Sequence, residues 1–364
     1  MLSVLSYAYF SFCIAYSEES TKYEISISRK VSRMTGRMMK LHIPYYLRSP
    51  IYTLFGKCNG VKFDEMKAQS LTQFRTFNQF FTRELKPGVR KVDTPEDIGN
   101  LVSPCDGRVL SHGTIDTENF TMECIKGNAY TVDEFWQGYN ETANCGLTLT
   151  RDIVSAAKAR GKKMLWMVIY LAPGDYHRYH SPADFTASYR RHLPGYLQPV
   201  DPRFLRKHRN VLKSNERVNL FGHWIHGFFG LSFVGATNVG SVKIHFDEGL
   251  KTNVRRPEVF SNDRNYAMLD PALSYLNFDD GKTSPMSSEN SSDETDGEND
   301  GEGHQPDQRI FTLTSTGIHL SKGEEIGMFE MGSTIVLMFE CPKNTKFTVK
   351  EGEKLFLGQK LTQN

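Results

Sequence analysis

Apolar and polar positions divide the chain into an N-terminal part with helical periodicity and a longer part with strand-like runs. Residues 4–16 are apolar and uncharged. As a helix this stretch reaches about 20 Å, short of the roughly 30 Å hydrocarbon core of a bilayer. Over 25–42, Ile27, Val31, Met34, Met38 and Leu41 fall on one stripe, while Arg29, Lys30, Arg33, Arg37 and Lys40 lie mostly elsewhere. That pattern predicts an amphipathic helix. It suits a helix packed on a core, or one lying on an anionic membrane, where each basic residue adds about 1 kcal/mol of attraction. Between Asp64 and Glu84, Leu71, Phe74, Phe77 and Phe81 recur at helical spacing and Lys86-Pro87-Gly88 follows, predicting a second helix with an aromatic stripe.

From about residue 100, β-like runs separated by Gly and Pro occupy 164–171, 217–221, 231–247, 335–340 and 346–357. Short helices are expected at 132–138, opened by the capping pair Thr131 and Glu134, and at 149–160. Residues 282–308 are Ser, Asp, Glu, Gly and Asn with almost no apolar residue, the composition of a disordered acidic insertion. The expected fold is α+β: a mainly antiparallel β barrel or sandwich-like domain at 61–364, preceded by an N-terminal membrane-associating arm at 1–60 with amphipathic helices.

Charge sharpens this picture. The whole chain carries +2, yet 282–308 holds eight acidic residues against one lysine, leaving +9 on the rest. The folded part is basic and suits an anionic partner such as lipid headgroups or nucleic acid. The six cysteines (13, 58, 105, 124, 145 and 341) form no Cys-x-x-Cys pair, so neither a zinc cluster nor a disulfide scaffold is indicated. The N-terminus has no basic n-region, and its first basic residue is Lys22, unlike a secretory signal or an Arg-rich presequence.

Four places can carry chemistry. Ser103-Pro104-Cys105-Asp106-Gly107 sets an aspartate in a tight turn. Asp175-Tyr176-His177-Arg178-Tyr179-His180-Ser181-Pro182 follows a buried-looking strand and an Ala-Pro-Gly turn, so two histidines stand at a strand end. They suit metal ligation, a general base with its helper, or plain surface residues. His223 and His226 share the spacing, but neither pair has a His-Glu-x-x-His pattern or a Cys partner, so no metal is expected. Finally, Gly332-Ser333-Thr334 leads into the apolar run 335–339. The bland reading is a turn entering a strand. The sharper one is a serine whose hydroxyl attacks the preceding carbonyl, because glycine tolerates the strained backbone this needs.

Asp106, His180 and Ser333 together admit two reactions. One is a Ser-His-Asp hydrolase, although Ser333 lacks the Gly-x-Ser-x-Gly elbow and enters a strand rather than a helix. The other is self-processing, in which the histidine deprotonates Ser333, an ester forms at Gly332, and β-elimination followed by hydrolysis leaves an N-terminal pyruvoyl group.

Six blocks in order resemble the phosphatidylserine decarboxylase family. They are Phe77 to Gly88, Ser103 to Gly107, Asp175 to Pro182, Asn215-Glu216-Arg217-Val218, Val234 to Ser241 and Lys322 to Thr334, spread over roughly 40–360. The resemblance implies a proenzyme cut between Gly332 and Ser333 into a β chain 1–332 and an α chain 333–364. Asp106, His180 and Ser333 would be its processing triad, and His177 would position or protonate substrate. It implies a self-generated pyruvoyl cofactor from Ser333, no metal, and conversion of phosphatidylserine to phosphatidylethanolamine and CO2 through a Schiff base. As partners it implies an anionic membrane surface, the α and β chains of one precursor, and a homodimer of αβ units, with no nucleic acid. The family commonly carries Leu or Gly where Met331 precedes Gly332, and the near-equal volume of Met and Leu favours the mitochondrial type, at the inner membrane. The absence of a C2-like calcium-binding domain from the sequence favours the same type.

Overall fold

A computed structural model describes residues 21–125, 128–136, 149–237, 241–254, 262–265, 317–330 and 333–364. The apolar stretch 4–16, the acidic insertion 282–308 and Gly332 lie outside them. In chain order the helices are α1 (Thr21–Met39), α2 (Tyr45–Asn59), α3 (Phe77–Phe81), α4 (Val132–Trp136), α5 (Leu149–Ala159), α6 (Pro202–Lys207) and α7 (Val211–Ser214). The strands begin with β1 (Gly107–Thr114), β2 (Thr121–Ile125), β3 (Asn128–Thr131), β4 (Lys163–Leu171), β5 (Arg178–His180), β6 (Phe185–Leu193), β7 (Arg217–Trp224) and β8 (Gly227–Val234). They continue with β9 (Val242–Ile244), β10 (Asn262–Asn265), β11 (Ile318–Leu320), β12 (Glu325–Phe329), β13 (Ser333–Cys341), β14 (Lys346–Phe347), β15 (Lys354–Leu355) and β16 (Thr362–Gln363).

A nine-stranded antiparallel sheet runs β10-β6-β7-β8-β13-β4-β1-β15, with β11 also on β6. Along β13, Ile335, Leu337 and Phe339 enter one core, and Val336 and Met338 enter another on the opposite face, the period of two that a strand imposes. The three-stranded sheet β5-β12-β9 covers the first face with Tyr179, Phe329, Ile326 and Val242. Helices α4 to α7 cover the second with Phe135, Trp136, Ile153, Phe204 and Leu212. The arrangement is α+β and sandwich-like. The main sheet is open, since its end strands β10 and β15 are not paired with each other.

The run 231–247 divides between β8 in the main sheet and β9 in the small one, so the chain crosses from one layer to the other. The run 346–357 holds only the two short strands β14 and β15. The helix expected over 64–84 is corrected to two 3-10 turns, at Phe63–Glu65 and Leu71–Gln73, followed by α3. Ser70 and Thr76 have extended backbones and cap new turns, and Thr76 forms a capping box with Gln79. Each cap satisfies the first amides of the turn after it and so breaks a continuous helix. The aromatic residues still converge: Tyr52, Phe77, Phe80 and Phe81 form a third core, with Leu71 and Phe74 packed against it.

The later part of the α1 stripe does not face the body, while Val31 is half-buried. Met34, Met38 and Leu41 are 59%, 54% and 64% exposed, whereas Arg29, Ser32 and Met39 are buried. Arg29 donates to the Gly195 carbonyl at 2.8 Å and Arg33 to that of Val254 at 3.3 Å, so α1 is seated by polar contacts. On and just before α2, Tyr45, Tyr46, Ile51 and Leu54 are also exposed. No helix among the described residues is long and apolar enough to cross a membrane.

Candidate active site

The scissile junction predicted from sequence lies where β12 hands over to β13. Met331, Gly332 and the Ser333 side chain are outside the described part, but the Ser333 backbone opens β13 opposite Leu171. Ile335, two residues on, enters the core that the small sheet covers. Leu171 ends β4, and the turn after it is closed by the Asp175 amide on the Ala172 carbonyl (2.9 Å) and the Ala172 amide on the Asp175 carboxylate (2.8 Å). Two residues later stands His177, whose carbonyl accepts the Phe329 amide at 3.0 Å.

The two histidines point to different surroundings. Tyr179, in β5, lies on Phe233 of β8 at 4.0 Å, whereas His177, just before β5, meets the aromatic core of the N-terminal part. His177 is fully buried against Phe81, ring centres 4.1 Å apart. Its Nδ1 is 2.9 Å from the Asp175 carbonyl, which assigns the proton to Nδ1 and leaves Nε2 a bare acceptor without a partner among the described residues. Burial pushes its pKa down to about 3, so the ring is neutral.

His180 lies in β5 itself. It stands across from Glu325, with Nδ1 2.9 Å from the Gly323 carbonyl and Nε2 3.2 Å from the Tyr176 hydroxyl. Burial lowers its pKa, against the opposing pull of the Gly323 carbonyl and Glu325. Glu325 itself is held at about 2, against the upward push of burial, by His245 and Arg178.

Asp106 is brought near His180 through the backbone, since the His180 amide donates to the Pro104 carbonyl at 2.8 Å. Its carboxylate does not bond the His180 ring. Arg90 donates to both oxygens, at 2.9 and 2.6 Å, and the Leu357 amide to one at 2.8 Å. The turn requires Gly107, because a Cβ there would stand 2.7 Å from the Tyr170 carbonyl oxygen. The Asp106 charge acts on Arg83 and His177. The backbone pairing therefore brings the Asp106 turn, the end of β4 and the start of β13 to one seam, and both histidines stand on the segment that follows β4.

Two charged residues of this seam escaped the sequence reading. Glu330, two residues before Gly332, is buried, and its carboxylate takes Lys40 and Lys243 at 2.9 Å each and the Ser241 hydroxyl at 2.8 Å. Against burial, the two lysines keep its pKa low. Arg83, just past α3, is 4% exposed. Its Nη2 donates to the Gly174 carbonyl at 2.7 Å and the Asp175 carbonyl at 3.3 Å. The only signal in the sequence was their place inside the Phe77–Gly88 and Lys322–Thr334 blocks.

The second histidine pair is not brought together as a site. His223 lies in β7, while His226 sits in the β7–β8 turn with Nε2 3.2 Å from the Gly99 carbonyl. Among the described residues no group of three or more His, Cys, Asp or Glu is placed to hold a metal ion. Cys58, Cys105 and Cys341 are free thiols.

Known proteins share this arrangement of motifs. A family model described as phosphatidylserine decarboxylase matches residues 77–363. The mitochondrial phosphatidylserine decarboxylase proenzyme of Cricetulus griseus is 35% identical over 348 residues, covering 94% of this chain and 73% of its own. The mitochondrial phosphatidylserine decarboxylase proenzyme 1 of Saccharomyces cerevisiae is 31% identical, with 91% of this chain and 71% of its own covered. That of Arabidopsis thaliana is 32% identical, with 92% and 71% covered. With the family match spanning residues 77–363 and the relatives covering most of both chains, this chain belongs to the phosphatidylserine decarboxylase family.

Proposed function

We propose that the chain is a self-processing, pyruvoyl-dependent enzyme that converts phosphatidylserine to phosphatidylethanolamine and CO2. The observation that carries this reading is the position of Ser333. It opens the central strand β13 opposite Leu171, whose chain turns directly to His177 with its unpartnered Nε2.

In the processing step the Ser333 hydroxyl adds to the Gly332 carbonyl carbon and gives its proton to a base. The C–N bond breaks and the nitrogen takes a proton, leaving an ester. Loss of the Ser333 Cα proton then expels the Gly332 carboxylate, the end of a β chain 1–332. The dehydroalanine left at the head of the α chain 333–364 hydrolyses to a pyruvoyl group and ammonia. A general base supplies about 10²–10⁴-fold of such a reaction. The α chain would stay in place after the cut, because β13 is hydrogen-bonded along its length between β4 and β8.

The residues present fit the group: the Ser333 backbone pairs with Leu171, from which the chain turns to the buried neutral imidazole of His177. When formed, the pyruvoyl carbonyl supplies an electrophile for the substrate amine and an electron sink for decarboxylation. His177 then accepts a substrate N–H or O–H at its bare Nε2, and returns to the product only a proton that it has first taken up there. His180, with Asp106, is assigned to deprotonate Ser333 in processing, as the family resemblance implies. A second assignment, His177 as base in both steps, is favoured by the register, since His177 pairs with Phe329 and His180 with the more distant Glu325.

Residues 1–60 are assigned to membrane association, with 61–364 as the catalytic domain. The outward stripe of Met34, Met38 and Leu41 supports this, since an anionic lipid substrate has to be met at a bilayer surface. The mitochondrial names of the relatives support a mitochondrial site, at the inner membrane, and the αβ unit is assigned to a homodimer. The test is Ser333→Ala. It should leave one intact chain with no release of CO2 from phosphatidylserine; two chains with full activity would overturn the reading. A fluorophosphonate probe labelling Ser333 on the intact wild-type chain would instead favour a serine hydrolase.

A further inference from the structure

Arg83 is a buried cation with no anion. Its side chain is almost wholly enclosed, yet it forms no ion pair with any carboxylate among the described residues and bonds only the carbonyls of Gly174 and Asp175, through Nη2. Nε and Nη1 have no partner. Leaving a buried charge unpaired is costly, and buried guanidinium groups are ordinarily matched by carboxylate or phosphate. Burial pushes its pKa down to about 10, with Asp106 and Asp175 pulling the other way, so the group stays charged at neutral pH.

The surroundings say what kind of anion is missing. The Asp175 carbonyl that Arg83 contacts is also the one bonded by His177 Nδ1, so two side chains with unpartnered nitrogens flank one oxygen. Phe80, over which the guanidinium lies at 5.7 Å, and Phe81, against which His177 lies, belong to the aromatic core beneath the outward-facing N-terminal helices.

We infer that Arg83 is a substrate-binding residue that receives the phosphodiester of the lipid headgroup. This rests on the proposed decarboxylase function. Phosphate rather than carboxylate is assigned because loss of CO2 moves charge off the carboxylate. A guanidinium holding that group would favour the ground state over the transition state and slow the reaction. A cation on the phosphate binds both states alike and orients the headgroup while the carboxylate is left free to depart.

The test uses the purified full-length chain and titrates two probes by calorimetry: glycerophosphoethanolamine, which has the phosphodiester and no carboxylate, and free serine, which has the reverse. Wild type should bind the first. Arg83→Gln should weaken it tenfold or more with serine unchanged, and should raise KM for phosphatidylserine more than it lowers kcat. Arg83→Lys, which keeps the charge and loses the fork, should fall between and serves if the Gln variant does not fold. Unchanged glycerophosphoethanolamine affinity in a folded variant would overturn the assignment, as would a selective loss of serine binding. Cleavage and CO2 release are read on the same wild-type sample. Phosphodiester binding that depends on Arg83 without either would sink the decarboxylase reading and leave the anion site standing.

Discussion

The backbone amide of Phe329 donates to the carbonyl of His177 at 3.0 Å, three residues before Gly332. His180 pairs with Glu325, seven residues before Gly332. Three residues of strand separate the histidines by about 10 Å. His180→Ala should block cleavage, while His177→Ala should still be cleaved but turn over lipid at least a hundredfold more slowly, the usual scale of an acid–base group. Gel-resolved cleavage in cell-free translation, with CO2 release from the same samples, separates the roles. Cleavage lost in His177→Ala and retained in His180→Ala would transfer the base to His177.

His177 also imposes a pH dependence. Its pKa is about 3 in the folded chain against 6.5 for a free histidine. Below pH 6.5 the unfolded chain takes up a proton that the folded chain does not, so stability falls with falling pH, approaching about 1.4 kcal/mol per pH unit from this group. Glu325, held near 2 against an ordinary 4.5, gives a slope of the same sign in a lower window: its stabilisation is full above pH 4.5 and is lost as the pH falls below it. Denaturant unfolding between pH 6.5 and 5 therefore isolates the histidines. His177→Gln should flatten the slope there; an unchanged slope would contradict a buried neutral imidazole.

Glu330 is buried but its lysines are not: Lys40 and Lys243 are about half exposed. Removing one lysine leaves the carboxylate the other and Ser241, and a half-exposed pair is worth about 0–1 kcal/mol. Removing the carboxylate by Glu330→Ala takes from the half-buried Ser241 hydroxyl its hydrogen bond to a charged acceptor, a loss of about 1.5–3 kcal/mol. Thermal unfolding should show that asymmetry, and cleavage should slow in Glu330→Ala and not in Lys40→Gln. Equal effects would mean that the lysines, not the carboxylate, hold the segment.

The exposed stripe on α1 gives a binding prediction. Each apolar side chain moved from water into a bilayer contributes about 1.5–3 kcal/mol. Met34→Glu with Met38→Glu should lower co-sedimentation with anionic vesicles tenfold or more and leave the melting temperature within a few degrees, since both side chains are already exposed. A large loss of stability would show that the stripe is buried against protein.

Much of this was legible in the chain. Continuous apolar runs marked β4 and β13 to within one or two residues, because strands buried on both faces carry apolar residues at successive positions. The spacing Leu71, Phe74, Phe77 and Phe81 was misleading. Those residues share a core, but Ser70 and Thr76 cap separate turns, and local caps override a helical period. Arg83 and Glu330 were invisible as site residues. A charge reads the same on a solvated face as in a closed seam, and only the long-range packing of α3 and β12 distinguishes the two.

The most direct test of the central claim is denaturing intact-mass spectrometry of freshly purified wild-type chain. The account predicts two species divided at Gly332/Ser333, the smaller lighter by one ammonia than the same peptide begun by serine, because a ketone stands in place of the amine-bearing carbon. A single intact mass, or a small chain that begins with an unmodified serine, would contradict it.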